Sequence, residues 1–415
     1  MKEMIFFQNK QWRGELKEYP IKRDIYAILE KAIENKFILS IEGPRRVGKS
    51  VLIKQLIKNL IDNNVAPEDI LYFSFDDFKE DIFKLIKEYE IIRKKSLNEG
   101  KVYLFFDEIQ KLNNWQEKIK IIYDNYINIK IVVSGSTLRS SKKESLAGRI
   151  FEYFIAPLNF KEYLFFSNNA TVIDNKIDDV FLNHYKSYLK RQYPELALDY
   201  SIDTKQYMLN IIKKVIFEDS EKYVKNVNTE ILYSIFRIIS KDPGQIINNS
   251  DLSKDLGTNR KDITKYLTYL CNSGLIRKIY HFSNNARKTE QKSKKFYPFC
   301  TTLIYFIDDS PNESKLIETD VAFQINAEYF WDNRGVNEID FIWHDSKSSK
   351  KIGVEVKYRN QITLQDINNF KLKQVQKLKL YKKYLIIRDG SIINFDANKE
   401  NINLIKYYLV WRDFI

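Results

Sequence analysis

The period of apolar positions changes repeatedly along the chain. "KFILSIEG" is a short apolar run closed by glycine, and "KSVLIKQLIKNLIDN", which begins at Lys49, repeats apolar residues at helical spacing. That sequence predicts strand, loop, helix. "DILYFSFDDF", "KVYLFFDEIQKL" and "IKIVVSGSTL" predict three further buried strands. Short apolar strands alternating with amphipathic helices predict an open, mostly parallel α/β sheet. Such sheets bind ligands at the carboxyl ends of their strands, where the polar clusters of this region fall.

From roughly Phe160 to Val227 the pattern turns helical, as in "FLNHYKSYLKRQYPEL" and "YMLNIIKKVIFED". "LSKDLGTNRKDITKYLTYLCNSGLIRKIYHF" then predicts two short helices around "LGTN" followed by a strand, which is a helix-turn-helix with a wing. Leu252, Leu256, Ile263, Leu267 and Leu270 form its core face. Asn259, Arg260, Lys261 and Lys265 fall on or near the second helix, where they would meet DNA. "SNNARKTEQKSKK" is polar and basic and reads as a hairpin tip or a disordered loop, with Arg287 to Lys295 as the wing tip. Strand-like runs return after about Cys300: "EYFWDN", "EIDFIWHD", "KIGVEVKY" and "KYLIIRD". No internal repeat is present.

Composition bounds this picture. The 415 residues exceed one ordinary core and predict two or three domains. Apolar residues make up 44% and charged residues 30%. Charges interrupt every long apolar stretch, so no membrane span is expected. "MKEMIFFQNKQWRGELKEYP" has neither a continuous apolar run nor a small-residue cleavage site, so a cytoplasmic protein is expected. The net charge of +13 favours a polyanionic partner, with a lysine- and isoleucine-rich composition as the plainer explanation. Cys271 and Cys300 read as reduced, small apolar residues. His184, His281 and His344 are too scattered for a zinc site, so any metal ligands must be carboxylates.

The sharpest chemistry is in "GPRRVGKSV", Gly43, Pro44, Arg45, Arg46, Val47, Gly48, Lys49, Ser50 and Val51. It fits the phosphate-loop pattern without a mismatch, follows a predicted strand and opens a predicted helix. Such a loop turns backbone N–H groups onto a phosphate, and glycine allows the close approach. Lys49 would neutralise the β- and γ-phosphates of ATP and Ser50 would hold Mg²⁺. Arg45 and Arg46, inside the loop, are expected to make surface or interdomain contacts rather than to take part in the chemistry. Asp107 and Glu108 end an apolar strand: Asp107 would bind Mg²⁺ through water, and Glu108 would polarise the attacking water as general base. Ser136 would hydrogen-bond the γ-phosphate or that water. Arg149 would reach a phosphate in its own subunit or across a homo-oligomer interface, with a solvated surface arginine as the plain alternative.

In the second half, Asp340 sits in one predicted strand and Glu355 and Lys357, two residues apart, share a face of the next. Two carboxylates and a lysine can hold Mg²⁺ or Mn²⁺ and stabilise charge during phosphodiester hydrolysis.

"GPRRVGKS", "LFFDEIQ", "VVSGS", "SLAGRIFEYFIAPLNFKEYL" and "QYPEL" together resemble the archaeal and bacterial AAA-type P-loop ATPases that carry a C-terminal winged helix and a PD-(D/E)xK nuclease-like domain. The resemblance implies a P-loop ATPase core (residues 1–165), a helical connection or lid (166–226), a winged helix-turn-helix (227–300) and a restriction-endonuclease-like α/β domain (301–415). It also implies a glutamate on the helix before the Asp340 strand, a position that Glu318 matches. Two departures stand out. Arg191 and Gln192 occupy the place of a Gly-Gly pair, and "KKFYPFCTTL" lacks an aspartate that the family tends to have. The resulting expectation is a cytoplasmic Mg²⁺-dependent ATPase coupled to a DNA-binding, nuclease-like half. Its alternative is an ATP-driven conformational switch whose second half binds protein or DNA without cutting.

Overall fold

The computed structural model describes residues 1–76, 80–136, 144–169, 178–333, 336–345 and 350–414. The chain forms two compact units, Met1–Pro157 and Leu158–Ile415. The end of the predicted "VVSGSTL" strand and the turn inside "HDSKSSKK" lie outside the described residues.

In the first unit, α1 (Lys2–Gln8) and α2 (Tyr26–Ala32) precede β1 (Ile38–Glu42) and α3 (Lys49–Asp62). β2 (Ile70–Ser74), α4 (Ile82–Arg93), β3 (Val102–Asp107), α5 (Trp115–Asn125), β4 (Ile129–Gly135) and β5 (Ile150–Phe154) follow. The five strands form one parallel sheet in the order β2-β3-β4-β1-β5. Every residue of β1, β3 and β4 is buried, as expected for central strands covered on both faces. β5 was not legible from pattern, because its residues are half-buried or exposed along an edge. The opposite edge, β2, is closed by side chains. Asn9 exchanges hydrogen bonds with the Tyr72 backbone, and Gln8 accepts the Ser74 N–H. These amides satisfy backbone groups that an open edge would present to other chains.

The second unit opens with α6 (Phe160–Phe166), α7 (Asp178–Lys190), α8 (Pro194–Leu198) and α9 (Thr204–Ile212). A π-helical stretch, Lys213–Asp219, leads into α10 (Ser220–Tyr223). Next come α11 (Thr229–Lys241), β6 (Gln245–Ile247), α12 (Asn249–Asp255), α13 (Arg260–Asn272), β7 (Ile276–His281), α14 (Ala286–Gln291) and β8 (Lys294–Pro298). This is a four-helix, three-strand arrangement with a hairpin of β7 and β8, α14 lying between the two strands. The basic stretch expected as a hairpin tip or disordered loop forms helix α14, capped by Asn285, whose side chain accepts the Lys288 N–H.

The chain continues through α15 (Thr301–Ile307), α16 (Glu313–Gln324), β9 (Tyr329–Asp332), β10 (Glu338–His344), β11 (Lys351–Lys357) and β12 (Gln361–Ile362). It ends with α17 (Lys373–Gln376), β13 (Lys382–Ile387), β14 (Ile392–Ile393), β15 (Asn403–Lys406) and α18 (Val410–Phe414). One eight-stranded sheet, β15-β13-β11-β10-β9-β7-β8-β6, runs through the whole unit. The expected separation at residue 300 is therefore bridged: the hairpin β7–β8 continues the sheet of β9 to β15 through the parallel pair β7–β9. The strands β9, β10 and β11 form an antiparallel meander, and β13 then pairs parallel to β11.

Candidate functional site

β1 ends at Glu42 and α3 starts at Lys49, so Gly43 to Gly48 form a loop at the carboxyl end of a central strand. Gly43 has φ +151°, and a Cβ there would stand 2.1 Å from the Ile155 carbonyl oxygen. The Ile155 N–H donates to the Glu42 carbonyl at 2.6 Å, which holds that backbone against the loop. Arg46 and Gly48 adopt left-handed conformations, φ +62° and +96°, the kind of turn that gathers backbone N–H groups into an anion cradle. Pro44 and Val47 are buried, Arg45 is half-buried and Arg46 is exposed. Sequence reasoning missed Arg23. Its buried guanidinium donates to the carbonyls of Val47 at 2.9 Å, Ala156 at 2.9 Å and Pro157 at 3.2 Å. It ties the loop to the chain beyond β5.

Lys49 is the first residue of α3 and is buried, and its Nζ donates to the carbonyls of Gly43 at 3.0 Å and Pro44 at 2.8 Å. Burial pulls its pKa down, while Glu108 and Asp107 push it back up. The ammonium and both carboxylates thus share one site. Ser50 and Val51 follow, half-buried, in the first turn of α3.

Asp107, the last residue of β3, is held from three directions. Tyr72 on β2 donates its hydroxyl to Oδ2 at 3.0 Å. Ser134 on β4 donates to Oδ1, as does the Glu108 N–H at 3.0 Å. Burial and Asp107 itself drive the Tyr72 phenol pKa far up, so it stays a donor. Glu108 sits at φ +50°, ψ +40°. A left-handed glutamate is a strained conformation of the kind held at functional sites. Its Oε2 accepts from Gln110 Nε2 at 2.5 Å and Ser136 Oγ at 3.5 Å. Ser136 is therefore brought beside Glu108. Tyr72, Ser134 and Gln110 were not foreseen.

Arg149 is placed differently from the expectation of a phosphate contact within one subunit. Its carbonyl accepts the Ile38 N–H, at the start of β1. The loop begins at the other end of that strand, about 16 Å away at roughly 3.3 Å per residue. The Arg149 guanidinium instead pairs with Asp124 at 2.8 Å and 3.2 Å.

A second polar cluster lies in the C-terminal unit. The antiparallel register of β10 and β11 pairs Phe341 with Val354, so Asp340 and Glu355 face each other in the next row. The Lys357 Nζ stands 2.9 Å from Glu355 and 3.9 Å from Asp340. The Val356 N–H donates to Asp340 Oδ2 at 2.7 Å. Glu318, on α16, accepts the Tyr297 hydroxyl at 2.6 Å. Burial and the nearby Asp340 raise the Glu318 and Glu355 carboxyls, Glu355 strongly, and Glu318 also acts on Lys357. The structure thus gathers Glu318, Asp340, Glu355 and Lys357.

The same cluster contains residues that pattern did not reveal. Lys295, expected at the wing tip, is buried and ion-paired with Glu338. Tyr297 comes from the same strand, β8. Asn369 reaches the Glu338 carbonyl at 2.7 Å and Glu355 at 3.4 Å. Among the described residues, no group of three or more His, Cys, Asp or Glu is arranged to hold a metal ion.

On α13, Asn259 is spent as the helix cap, accepting the Asp262 N–H at 2.9 Å, and Lys265 pairs with Asp262 at 3.0 Å. Arg260 and Lys261 are exposed.

Residues 35–164 match a family model described as an AAA domain. Residues 183–306 and 317–407 each match a model described as a domain of unknown function, DUF8612 and DUF4143. The chain is 28% identical over 290 residues to an uncharacterised protein of Haemophilus influenzae, covering 67% of this chain and 71% of that one. It is 28% identical over 364 residues to an uncharacterised protein of Methanocaldococcus jannaschii, covering 82% of this chain and 79% of that one. Among solved structures, it is similar to the Thermotoga maritima RuvB Holliday junction branch migration motor. That likeness has 18% identity and a TM-score of 0.33, over 62% of this chain and 89% of the other. Loop, parallel sheet and family match together define an AAA-type, P-loop ATPase-like domain in the N-terminal part. No helix among the described residues is long and apolar enough to cross a membrane.

Proposed function

We propose that the protein is a Mg²⁺-dependent ATPase whose nucleotide state governs a DNA-contacting, nuclease-like C-terminal unit. One observation carries the ATPase reading: a buried Lys49 ammonium resting on the carbonyls of Gly43 and Pro44, with Asp107 and Glu108 close enough to act on it. The residues suit the group they would receive. Gly43 leaves no room for a side chain, and Lys49 holds only loop carbonyls that it can exchange for phosphate oxygens. The Ser50 hydroxyl and the oriented Asp107 form a hard oxygen donor set for Mg²⁺. The metal ion would supply charge neutralisation across the β- and γ-phosphates. Glu108, steadied by Gln110 and Ser136, orients water and takes its proton. Arg149 serves a phosphate only across a homo-oligomer interface, released from Asp124. Equilibrium binding of labelled ATP with Mg²⁺ tests the site: Lys49→Ala should lose the Mg²⁺-dependent binding, and undiminished binding sinks the reading.

In the second unit, the exposed Arg260 and Lys261 of α13 support contact with DNA phosphates, and the gathered Glu318, Asp340, Glu355 and Lys357 support a nuclease-like site. A specific observation favours the second reading, a switch that binds without cutting. Lys357 already pairs with Glu355, and Lys295 with the neighbouring Glu338, so ammonium groups stand beside these carboxylates. Incubating plasmid DNA with Mg²⁺ or Mn²⁺, with and without ATP, separates the two readings. Cleavage that Asp340→Ala abolishes supports the nuclease. Binding without cleavage supports the switch.

A further inference from the structure

Between α13 and the β7–β8 hairpin lies a cavity of about 610 Å³. Volumes of a few hundred to a thousand Å³ suit small organic ligands. Its floor includes Leu267 and Phe296, both buried. Arg260, Lys278, Lys292 and Lys294 line it, against the single carboxylate of Glu290, so four positive charges less one negative leave three positive. None of these four cations is ion-paired with a carboxylate among the described residues. Lys294 rests on the Glu290 carbonyl, and Lys292 lies 3.2 Å from the ring nitrogens of His281. Lys278 and Lys294 both stand over the Tyr280 ring, at 4.6 Å and 5.7 Å.

The cavity opens on the exposed side of α13, where Arg260, Thr264 and Thr268 are accessible, and runs down to the buried Leu267. Arg260, Thr264, Leu267, Thr268 and Cys271 line the cavity. At 100° per residue they form one stripe of α13, and Lys261 and Lys265 lie on the neighbouring stripe. Like charges held together in a recess repel one another and attract an anion. Burial lowers the pKa of Lys294 and of Lys292; Glu290 and then Lys278 act on Lys294 in opposite directions, and Asp332 partly offsets the burial of Lys292.

We infer that this cavity is a second ligand site, separate from the phosphate loop, for an organic phosphate of mononucleotide size. Lysine and arginine hold the phosphate, as suits a compact dianion. The apolar floor takes the planar body.

Isothermal titration of the full chain carrying Lys49→Ala, which silences the loop, tests this with adenosine monophosphate and with pyrophosphate. Adenosine monophosphate should bind one-to-one. Lys278→Gln combined with Lys294→Gln should weaken it at least about 10-fold, since each lost charge-assisted contact contributes on the order of 1 kcal/mol or more. Lys278→Arg should keep most of the affinity, which controls for misfolding, and Lys373→Gln, at an exposed lysine of α17, should leave it unchanged. The inference fails if neither anion binds at millimolar concentration, or if the double variant binds normally. It also fails if pyrophosphate binds and the nucleotide does not, or if only a short DNA duplex depends on Lys278 and Lys294. That last outcome would make the cleft part of the DNA track and leave the ATPase reading untouched.

Discussion

A single methyl group at Gly43 would meet backbone rather than a side chain that can swing away. Its Cβ would lie 2.1 Å from the Ile155 carbonyl oxygen, itself pinned to Glu42. Gly43→Ala should therefore lower stability by on the order of 3 kcal/mol and abolish ATP binding, as read from urea unfolding and from nucleotide titration. An unchanged midpoint would mean that the loop relaxes freely. Tyr72 acts one step further out. It touches Asp107 through its hydroxyl, so Tyr72→Phe keeps the packing and removes one restraint on the carboxylate proposed to bind Mg²⁺. Outer-shell losses of this kind cost about 10- to 100-fold in metal affinity or activity. The Mg²⁺ dependence of ATP hydrolysis should shift to higher concentration, and an unaltered Mg²⁺ dependence would show that Tyr72 positions nothing. Gly43, Lys49, Asp107 and Glu108 were legible because a contiguous motif carries them. Tyr72, Ser134 and Arg23 were not, because their roles arise from strands and loops distant in sequence that the sheet order β2-β3-β4-β1-β5 brings together.

At the scale of elements, β8 couples the β7–β8 hairpin to the carboxylate cluster. Lys295 pairs with Glu338, and Tyr297, two residues on, donates to Glu318. Breaking a buried ion pair costs about 3–5 kcal/mol when the remaining charge is fully buried. The Glu338 side chain keeps 32% of its exposure, so roughly 2 kcal/mol is expected for Lys295→Met. Adding Glu338→Gln should recover much of that loss. A double variant as unstable as the sum of the single variants would remove the pairing from the account. α16 carries a second device on another face. Asp320 is fully buried and accepts hydrogen bonds from Tyr185, Tyr188, Gln192 and Gln324, with no cation beside it among the described residues. Burial raises its carboxyl from 3.8 to about 6. The folded-state pKa thus lies above the unfolded one, and the protonated form favours folding. The resulting stability is full below about pH 4 and is lost as pH rises through about 6, a difference of about 3 kcal/mol at 1.36 kcal/mol per unit. Asp320→Asn should flatten the pH dependence of unfolding in that window. A variant that keeps the slope assigns it to other groups. Arg149 shows what pattern could have decided: it precedes β5 in a parallel sheet, so it must lie at the end of the strands opposite the loop. The strand itself was hidden, since its exposed edge residues break the apolar run.

At the scale of the whole molecule, sequence pattern gave the order of parts more faithfully than their boundaries. The parallel sheet of the first unit was readable because buried strands are apolar throughout. The continuity of β6 to β15 in one sheet was not, because the β7–β9 pairing joins segments on either side of α15 and α16. That joining also moved Lys295 from an imagined wing tip into the carboxylate cluster. The central claim concerns the first unit: Lys49 grips the triphosphate and Glu108 activates water. Steady-state ATP hydrolysis at saturating Mg²⁺, measured beside ATP retention for the wild type, Lys49→Ala and Glu108→Gln, tests it most directly. The account predicts turnover in the wild type alone, no retained ATP in Lys49→Ala, and retained, unhydrolysed ATP in Glu108→Gln with turnover down at least about 100-fold, the usual worth of a general base. Wild-type turnover rates in the Glu108→Gln variant, or normal ATP retention by Lys49→Ala, would contradict it.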